Sequence, residues 1–217
     1  MTESFGLTAA ASVLGGYLLG SVPFGLLLGR WRGVDPRAHG SGNIGATNVL
    51  RLLGPGWGAA CLLLDAGKGA AAVALARELA VRQPELLAVL AGMAAVLGHV
   101  FPVWLRGRGG KGVATTAGAL LALQPVALLA ALAAFAAVVA LTRYVSLGSI
   151  AAALVLPFAH LLSASAPFGE GLPLTCAVFA LSALVLVRHR ANLARLRAGT
   201  EHRLGAPRAE SASRVGA

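Results

Sequence analysis

A succession of long apolar runs limits this chain more than any other feature, at roughly residues 6 to 29, 56 to 76, 86 to 105, 113 to 141, 145 to 164 and 172 to 187. A helix needs about 20 apolar residues to cross a hydrocarbon core about 30 Å thick, and several of these runs reach that length without a charge. A soluble core built from 217 residues has no place for them. The composition agrees, with 57% hydrophobic and 12% charged residues, against a soluble average of about 25% charged. The expected fold is an all-α integral membrane protein.

The fourth run has 29 residues, with Gln124 and Pro125 near its middle. Proline removes a backbone donor, so this run is either one kinked helix or two short ones. The basic residues decide between them, because short loops rich in Lys and Arg stay cytoplasmic. A split at Gln124 gives seven spans and places Arg30, Arg32, Arg37, Arg51, Arg106, Arg108, Lys111, Arg143 and the seven arginines from Arg188 to Arg214 on one side, 15 of 18 basic residues. The other side receives Arg77 and Arg82, with Lys68 inside a span and no base in the loop SASAPFGEG. Without the split, Arg143 and the tail arginines move outside. The expectation is therefore seven transmembrane helices with the N-terminus outside and the C-terminus cytoplasmic. Residues 1 to 205 form one domain in this reading, and residues 206 to 217, small, polar and basic, form a disordered cytoplasmic tail. The first 29 residues hold no Lys or Arg, and their apolar run is too long for a signal h-region, so they read as a retained span.

The net charge of +10 does not point to nucleic acid, because the bases sit in short blocks without aromatic residues interleaved for stacking. Cys61 and Cys176 lie inside apolar runs without ligand spacing and read as small hydrophobes.

Three polar, glycine-containing segments share the expected cytoplasmic face. The first is GSGNIGATNVLR, Gly40 to Arg51. Its glycines let backbone amides approach a ligand, and Ser41, Asn43, Thr47 and Asn48 add neutral donors, a combination that suits an anion nest better than a plain loop. It also contains G-x-G-x-x-G from Gly40 to Gly45, but the dinucleotide fingerprint needs a preceding strand and a βαβ unit, which this context lacks.

The second segment is GHVFPVWLRGRGGKGVATTAG, Gly98 to Gly118, where glycines around Lys111 open directly into the next apolar run. Free amides and the positive dipole end of a helix favour phosphate, and a lysine beside them supplies a full charge. It is not a P-loop, since Leu occupies position 105 and Gly112 follows Lys111. The plain alternative is a flexible turn with positive-inside charges, and His99 reads in part as a structural residue at a span end.

The third segment is RHRANLARLRAGTEHRL, Arg188 to Leu204, with His189, Asn192 and Arg195 three apart and so on neighbouring parts of one helical face. A basic stub on anionic lipid accounts for the arginines but not for His189 and Asn192. Asp65 and Lys68, i, i+3 in the second run, have the spacing of an ion pair, with a proton route the alternative. Ser146 and Ser149 follow Arg143 at a span start, where capping would account for Ser146.

In order along most of the chain, GSGNIGATNVLR, GHVFP with GGKGVAT, RYVSLGSI, and RHRANLARL with AGTEHRL resemble the bacterial membrane acyltransferase family that moves a fatty acyl group from acyl phosphate to glycerol 3-phosphate. The resemblance implies a seven-helix protein of the bacterial inner membrane with an outside N-terminus and a cytoplasmic-side site, in agreement with the charge count. It implies catalytic roles for Ser41, His189 and Lys111, and acyl-phosphate binding by Gly42, Asn43, Gly45, Thr47, Asn48, Gly109, Gly110 and Gly112. Glycerol 3-phosphate would be held by Arg51, Lys111, Ser146, His189 and Asn192. Neither cofactor nor metal is implied; the partners are the two small-molecule substrates and membrane lipid. The chain departs from the family's usual Gly-Phe at Arg106 and Gly107, and from its frequent Lys at Arg203. The glycerolipid signature of His, four residues and Asp follows none of its histidines, which disfavours a thioester-using enzyme.

Acyl phosphate is a mixed anhydride with an activated carbonyl and a good leaving group, so positioning and electrostatics suffice and no covalent acyl-enzyme is expected. His189 and the substrate's own phosphate are the candidates for accepting the proton, with Ser41 placed to donate or relay a hydrogen bond. The competing readings are a transporter for a small organic phosphate, disfavoured by polar groups gathered at one face instead of the midplane, and a structural subunit, disfavoured by the three polar segments.

Overall fold

The computed structural model describes residues 2–205, and all regular structure among them is helical. The first apolar run forms α1 (Thr2–Ser21) and α2 (Phe24–Trp31). It breaks at Val22–Pro23, where proline has no N–H to donate and keeps the preceding residue out of helical geometry. A polar loop leads to the short α3 (Ala46–Leu53). Then follow α4 (Pro55–Leu79), α5 (Pro84–Val100), α6 (Val113–Leu123), α7 (Pro125–Thr142), α8 (Val145–Ser163), α9 (Leu172–Arg188) and α10 (Arg190–Arg197). Three of these, α4, α5 and α7, start on a proline, at the position where a helix needs no internal donor.

The break expected at Gln124 is present: Gln124 ends α6 at φ −151°, and α7 starts at the next residue. α6 has only 11 residues, a rise of about 16 Å, or half the hydrocarbon thickness. Among the described residues, five segments are long and apolar enough to cross a membrane, the first being Phe5–Trp31, and six if α9 and α10, bent 47° to each other, count as one. The expected disordered tail, residues 206 to 217, lies outside the described residues.

The outer surface is that of a protein solvated by lipid. Leu7, Leu63, Leu141, Phe158 and Leu162 are all at least 69% exposed, while Asn48, Asp65, Lys68, His99, His189 and Asn192 are buried. α1 packs along α5, α4 along α5 and α6, and α7 along α8. Lipid tails are as apolar as leucine, so helices gain little from burying apolar area and associate instead where small residues let backbones touch. Gly20 is such a residue: a Cβ there would lie 2.0 Å from the Ala95 carbonyl oxygen of α5. Gly118 of α6 meets Ala66 of α4 in the same way, at 1.8 Å. Leu120, Leu128, Ala131, Leu156 and Val178 fill a core among α6, α7, α8 and α9.

A polar chain ties the break between α6 and α7 to the helices beside it. The Gln124 amide donates to His160 Nδ1 (3.3 Å) and to Ser163 Oγ (3.1 Å). Because Nδ1 accepts, His160 Nε2 carries the proton and donates to Thr175 Oγ1 at 2.8 Å, and Thr175 donates to the Pro167 carbonyl at 2.7 Å.

Replacing Gly20 with Val should destabilise the protein by about 1–3 kcal/mol, the usual range for overpacking. Gly15→Val is the control, since a Cβ at Gly15 meets nothing within 4 Å. Equal thermal-unfolding midpoints for the two variants in detergent would contradict the close packing of α1 on α5.

Candidate active site

The loop before α3 is organised by one side chain. Asn48, 2% exposed, donates from its amide to the carbonyls of Pro36 (2.9 Å), His39 (3.1 Å) and Asn43 (2.8 Å), and accepts from the Ser41 N–H at 2.9 Å. Its hydrogen-bonding capacity is thus spent inside the loop, and Asn48 shapes the segment that was expected to bind phosphate instead of presenting a donor of its own. Asn43 Oδ1 likewise takes the Gly45 N–H at 2.8 Å. The amides of Ala46 and Thr47, in the first turn of α3, have no intrahelical acceptor.

Two glycines of the second loop are hydrogen-bonded within the protein. Gly109 and Gly110 donate their N–H groups to the Val100 and His99 carbonyls, at 3.2 and 3.1 Å, and their own carbonyls accept from Arg188 Nη2. Their amides therefore close the loop onto the end of α5. Gly112 is different: at φ +84° it stands in the left-handed region before α6. It turns the chain into α6, whose first residues Val113 and Ala114 have no intrahelical acceptor for their amides and line a cavity.

The end of the chain closes the third side. Lys111 Nζ donates to Asn192 Oδ1 at 2.5 Å, and the Asn192 amide donates to Glu201 Oε1 at 2.8 Å. Ser146 Oγ donates to the same Oε1 at 3.0 Å, and Arg195 Nε to Oε2 at 2.7 Å. Residues after α10 are fastened by Leu204 and Arg143, which exchange hydrogen bonds at 2.7 and 3.1 Å, and by Arg203 Nε donating to the Tyr144 hydroxyl at 3.0 Å. Glu201 was not singled out in the sequence; the available signal was a lone carboxylate between Arg188 and Leu204 among five arginines.

These parts enclose a cavity of about 140 Å³. Its walls include Ser41, Asn43, Gly45, Thr47, Asn48, Arg51, Lys111, Gly112, Ser146, His189 and Asn192, so most of the expected site residues meet in one place. Gly42 and Gly109 instead line a separate open groove of about 970 Å³ that adjoins the cavity at Asn43, with Arg37, Arg106 and Arg108. Gly110 lines neither. Asp65, His99 and Glu201 add walls that were not expected. Leu62, half exposed, opens the cavity toward lipid beside Phe135 and Val145.

The cavity is built for anions. The first turns of α3 and α6 both supply free amides to it, and a helix N-terminus carries roughly half a positive charge. Burial, opposed by Glu201, pulls Arg51 below its ordinary value, yet a guanidinium stays charged. Burial also pulls Lys111 down to about 8, with Glu201 again opposing. Glu201 is pushed up by burial, but hydrogen bonds from Asn192, Arg195 and Ser146 prevail and hold it below the usual carboxylate range. His189, one residue past α9, is pushed down to about 4 by burial and then by Lys111, so its ring is neutral near pH 7. Its Nδ1 lies 2.8 Å from the Val185 carbonyl. A carbonyl only accepts, so Nδ1 carries the hydrogen and Nε2 keeps a lone pair.

A family model described as glycerol-3-phosphate acyltransferase matches residues 10–199. A glycerol-3-phosphate acyltransferase of Myxococcus xanthus is 52% identical over 195 residues, covering 89% of this chain and 98% of its own length. One of Geobacter sulfurreducens is 50% identical over 200 residues, covering 92% and 97%. Among solved structures, PlsY, an integral membrane glycerol 3-phosphate acyltransferase, superposes in its glycerol 3-phosphate form with a TM-score of 0.83 at 36% identity, covering 91% of this chain and 96% of that one. Its lysophosphatidic acid form gives 0.80, at the same identity.

Of the cations around the cavity, Lys111 is the one whose charge changes near neutral pH. Its ammonium is intact below about pH 8 and is lost above it. The dissociation constant of a phosphate monoester should therefore rise above pH 8, approaching about tenfold per pH unit, and Lys111→Arg should abolish that rise. Ligand-induced thermal stabilisation across the pH range measures it; a wild-type constant that stays flat to about pH 10 would exclude Lys111 as an anion ligand.

Proposed function

The chain belongs to the glycerol-3-phosphate acyltransferase family, and we propose that its acyl donor is an acyl phosphate, from which it acylates glycerol 3-phosphate to give lysophosphatidic acid and phosphate. It is an integral membrane enzyme of phospholipid biosynthesis. The observation that carries the donor assignment is the convergence of two helix N-termini, Lys111 and Arg51 on one cavity beside a neutral imidazole. That is more anion-binding capacity than one phosphate needs, and a thioester donor would bring no phosphoryl group to the reacting carbon. The related PlsY has been seen in glycerol 3-phosphate and lysophosphatidic acid forms, which suits an acceptor and a product of the same chemistry here.

In this reading the amides of Ala46, Thr47, Val113 and Ala114, with Ser41, Asn43 and Gly112, hold the donor's phosphoryl group. Arg51, Lys111, Ser146 and Asn192 hold the acceptor's, and the acyl tail leaves past Leu62, Phe135 and Val145 into lipid. The glycerol hydroxyl attacks the carbonyl, the bond between carbonyl and phosphate oxygen breaks, and the hydroxyl proton ends on the departing phosphate. His189 Nε2, with its free lone pair, takes the hydrogen bond from the attacking hydroxyl and passes the proton on. Free amides do not have to reorganise as charge moves onto the leaving group, and this makes them effective there.

The same proposal places the protein in the bacterial inner membrane with seven spans, the N-terminus outside and the site at the cytoplasmic face. The strong bias of Lys and Arg to one side supports it, with the half-length α6 counting as one of the seven.

Purified protein given glycerol 3-phosphate should form lysophosphatidic acid with palmitoyl phosphate but not with palmitoyl-CoA or palmitoyl carrier protein; transfer from either thioester alone would overturn the donor assignment. His189→Gln should lower kcat by about 10²–10⁴, the usual contribution of a positioned proton-transfer group, at an unchanged unfolding midpoint. Topology is read separately with Cys61 and Cys176 replaced. A cysteine at Ala166 should react with an impermeant maleimide on intact cells, and one at Ala38 only after permeabilisation. The reverse pattern would contradict the orientation.

A further inference from the structure

Beneath the cavity lies a buried charged cluster that the proposed chemistry does not use. Asp65 and Lys68, one turn apart on α4, are 2% and 3% exposed, and His99, near the end of α5, is 5% exposed. Lys68 Nζ is 2.8 Å from Asp65 Oδ1 and donates to the Val22 carbonyl at 2.8 Å, at the break between α1 and α2. Phe24 presents its ring to the same ammonium at 5.6 Å. Asp65 Oδ1 also faces His99 Nδ1 at 3.4 Å. Charges at this depth are expensive, and apolar side chains of similar volume often serve stability as well or better. Stability alone is thus a weak reason for this cluster, and its connections supply a better one.

Gly110 rests on His99 in two ways. Its N–H donates to the His99 carbonyl at 3.1 Å, and its Cα lies so close to the imidazole that a Cβ would fall 2.1 Å from Nε2. The next residue is Lys111. Asp65 and His99 also wall the cavity into which the Lys111 ammonium reaches. A continuous set of contacts therefore runs from the Val22 carbonyl through Lys68, Asp65 and His99 to the backbone that carries Lys111.

We propose that Asp65 and His99 are positioning residues for Lys111. The carboxylate, neutralised by Lys68, holds the imidazole in one orientation, and the imidazole is the seat on which Gly110 places the ammonium against an anion. In this proposal both act on the substrate through Lys111. The inference rests on the reading of Lys111 as a glycerol 3-phosphate ligand.

The test is a double-mutant cycle on glycerol 3-phosphate affinity, read as ligand-induced thermal stabilisation of the purified full-length protein, so that inactive variants remain measurable. His99→Gln should weaken binding about tenfold, within the range by which a residue acting through a network of contacts modulates a distant ligand. In a Lys111→Gln background the same change should have little further effect, because the residue it acts through is gone. Asp65→Asn, nearly isosteric, should match His99→Gln in both backgrounds and takes its place if that variant does not fold. Affinity unchanged by either substitution, or a loss just as large without Lys111, would overturn the proposal. Failure of the wild-type protein to bind glycerol 3-phosphate would instead sink the functional reading.

Discussion

A bilayer offers no water to a polar group, and every feature of this molecule follows from where its polar groups are put. A backbone donor or acceptor left unpaired in hydrocarbon is worth several kcal/mol of destabilisation, so lipid-facing backbone must be helical and interrupted backbone must be enclosed. α6 is the interrupted element. Its 11 residues leave both ends inside the protein, and each end has its own solution. At the Gln124 end the Leu120 carbonyl takes the Gln124 N–H, the Ala122 carbonyl takes Arg77 Nη1 at 3.4 Å, and the Gln124 carbonyl takes the Leu128 N–H of α7. At Gly112 the free amides open on the cavity. A half-helix that could not be satisfied by its own length becomes the reason that donors converge on one spot.

The ionic residues obey the same constraint. Asp65 and Lys68 neutralise each other at depth, whereas the cations with net charge to spare, Arg51 and Lys111, stand around the cavity. Glu201 is a carboxylate in the middle of an anion site, which looks contradictory until its partners are counted. It accepts from Ser146, Asn192 and Arg195, and Asn192 in turn accepts from Lys111. The carboxylate thereby fixes the rotamers of side chains that would otherwise have to be ordered by a ligand, a form of preorganisation.

What was legible in the sequence is what depends on local chemistry. Apolar run length and the bias of Lys and Arg are local, and so is the break forced by Pro125 after Gln124. The gathering of Ser41, Asn43, Lys111, Ser146, His189 and Asn192 was legible because those residue types in polar loops have few other uses. The roles of the glycines were not. Gly110 beside a lysine has one appearance whether its amide is meant for phosphate or its missing side chain is meant for an imidazole, and only the approach of His99, eleven positions earlier, distinguishes them. The partners of Asn48 were hidden for a similar reason: its amide is bonded to the carbonyls of Pro36, His39 and Asn43, which its own position in the sequence does not reveal. Glu201 went unnoticed because its partners lie on α8 and α10 and meet only when residues after α10 fold back.

The protonation states around the cavity also suit acyl transfer from a phosphate leaving group better than from a poor one. An alkoxide or amine leaving group needs an acid to protonate it, and the imidazole here is neutral with its only hydrogen committed to the Val185 carbonyl. It accepts at Nε2, and the proton it can pass on is the one it takes from the attacking hydroxyl. A departing phosphate needs no donated proton; it needs negative charge met as it develops, which first-turn amides do without titrating. Lys111, depressed to about 8 by burial, holds its charge to higher pH when a dianion enters, since the anion favours the ammonium as strongly as the ammonium favours the anion. A base that relays only the proton of the attacking hydroxyl, helix amides and a lysine whose charge is strengthened by the ligand together favour a reaction in which the substrate carries its own activated bond and the protein supplies place and field.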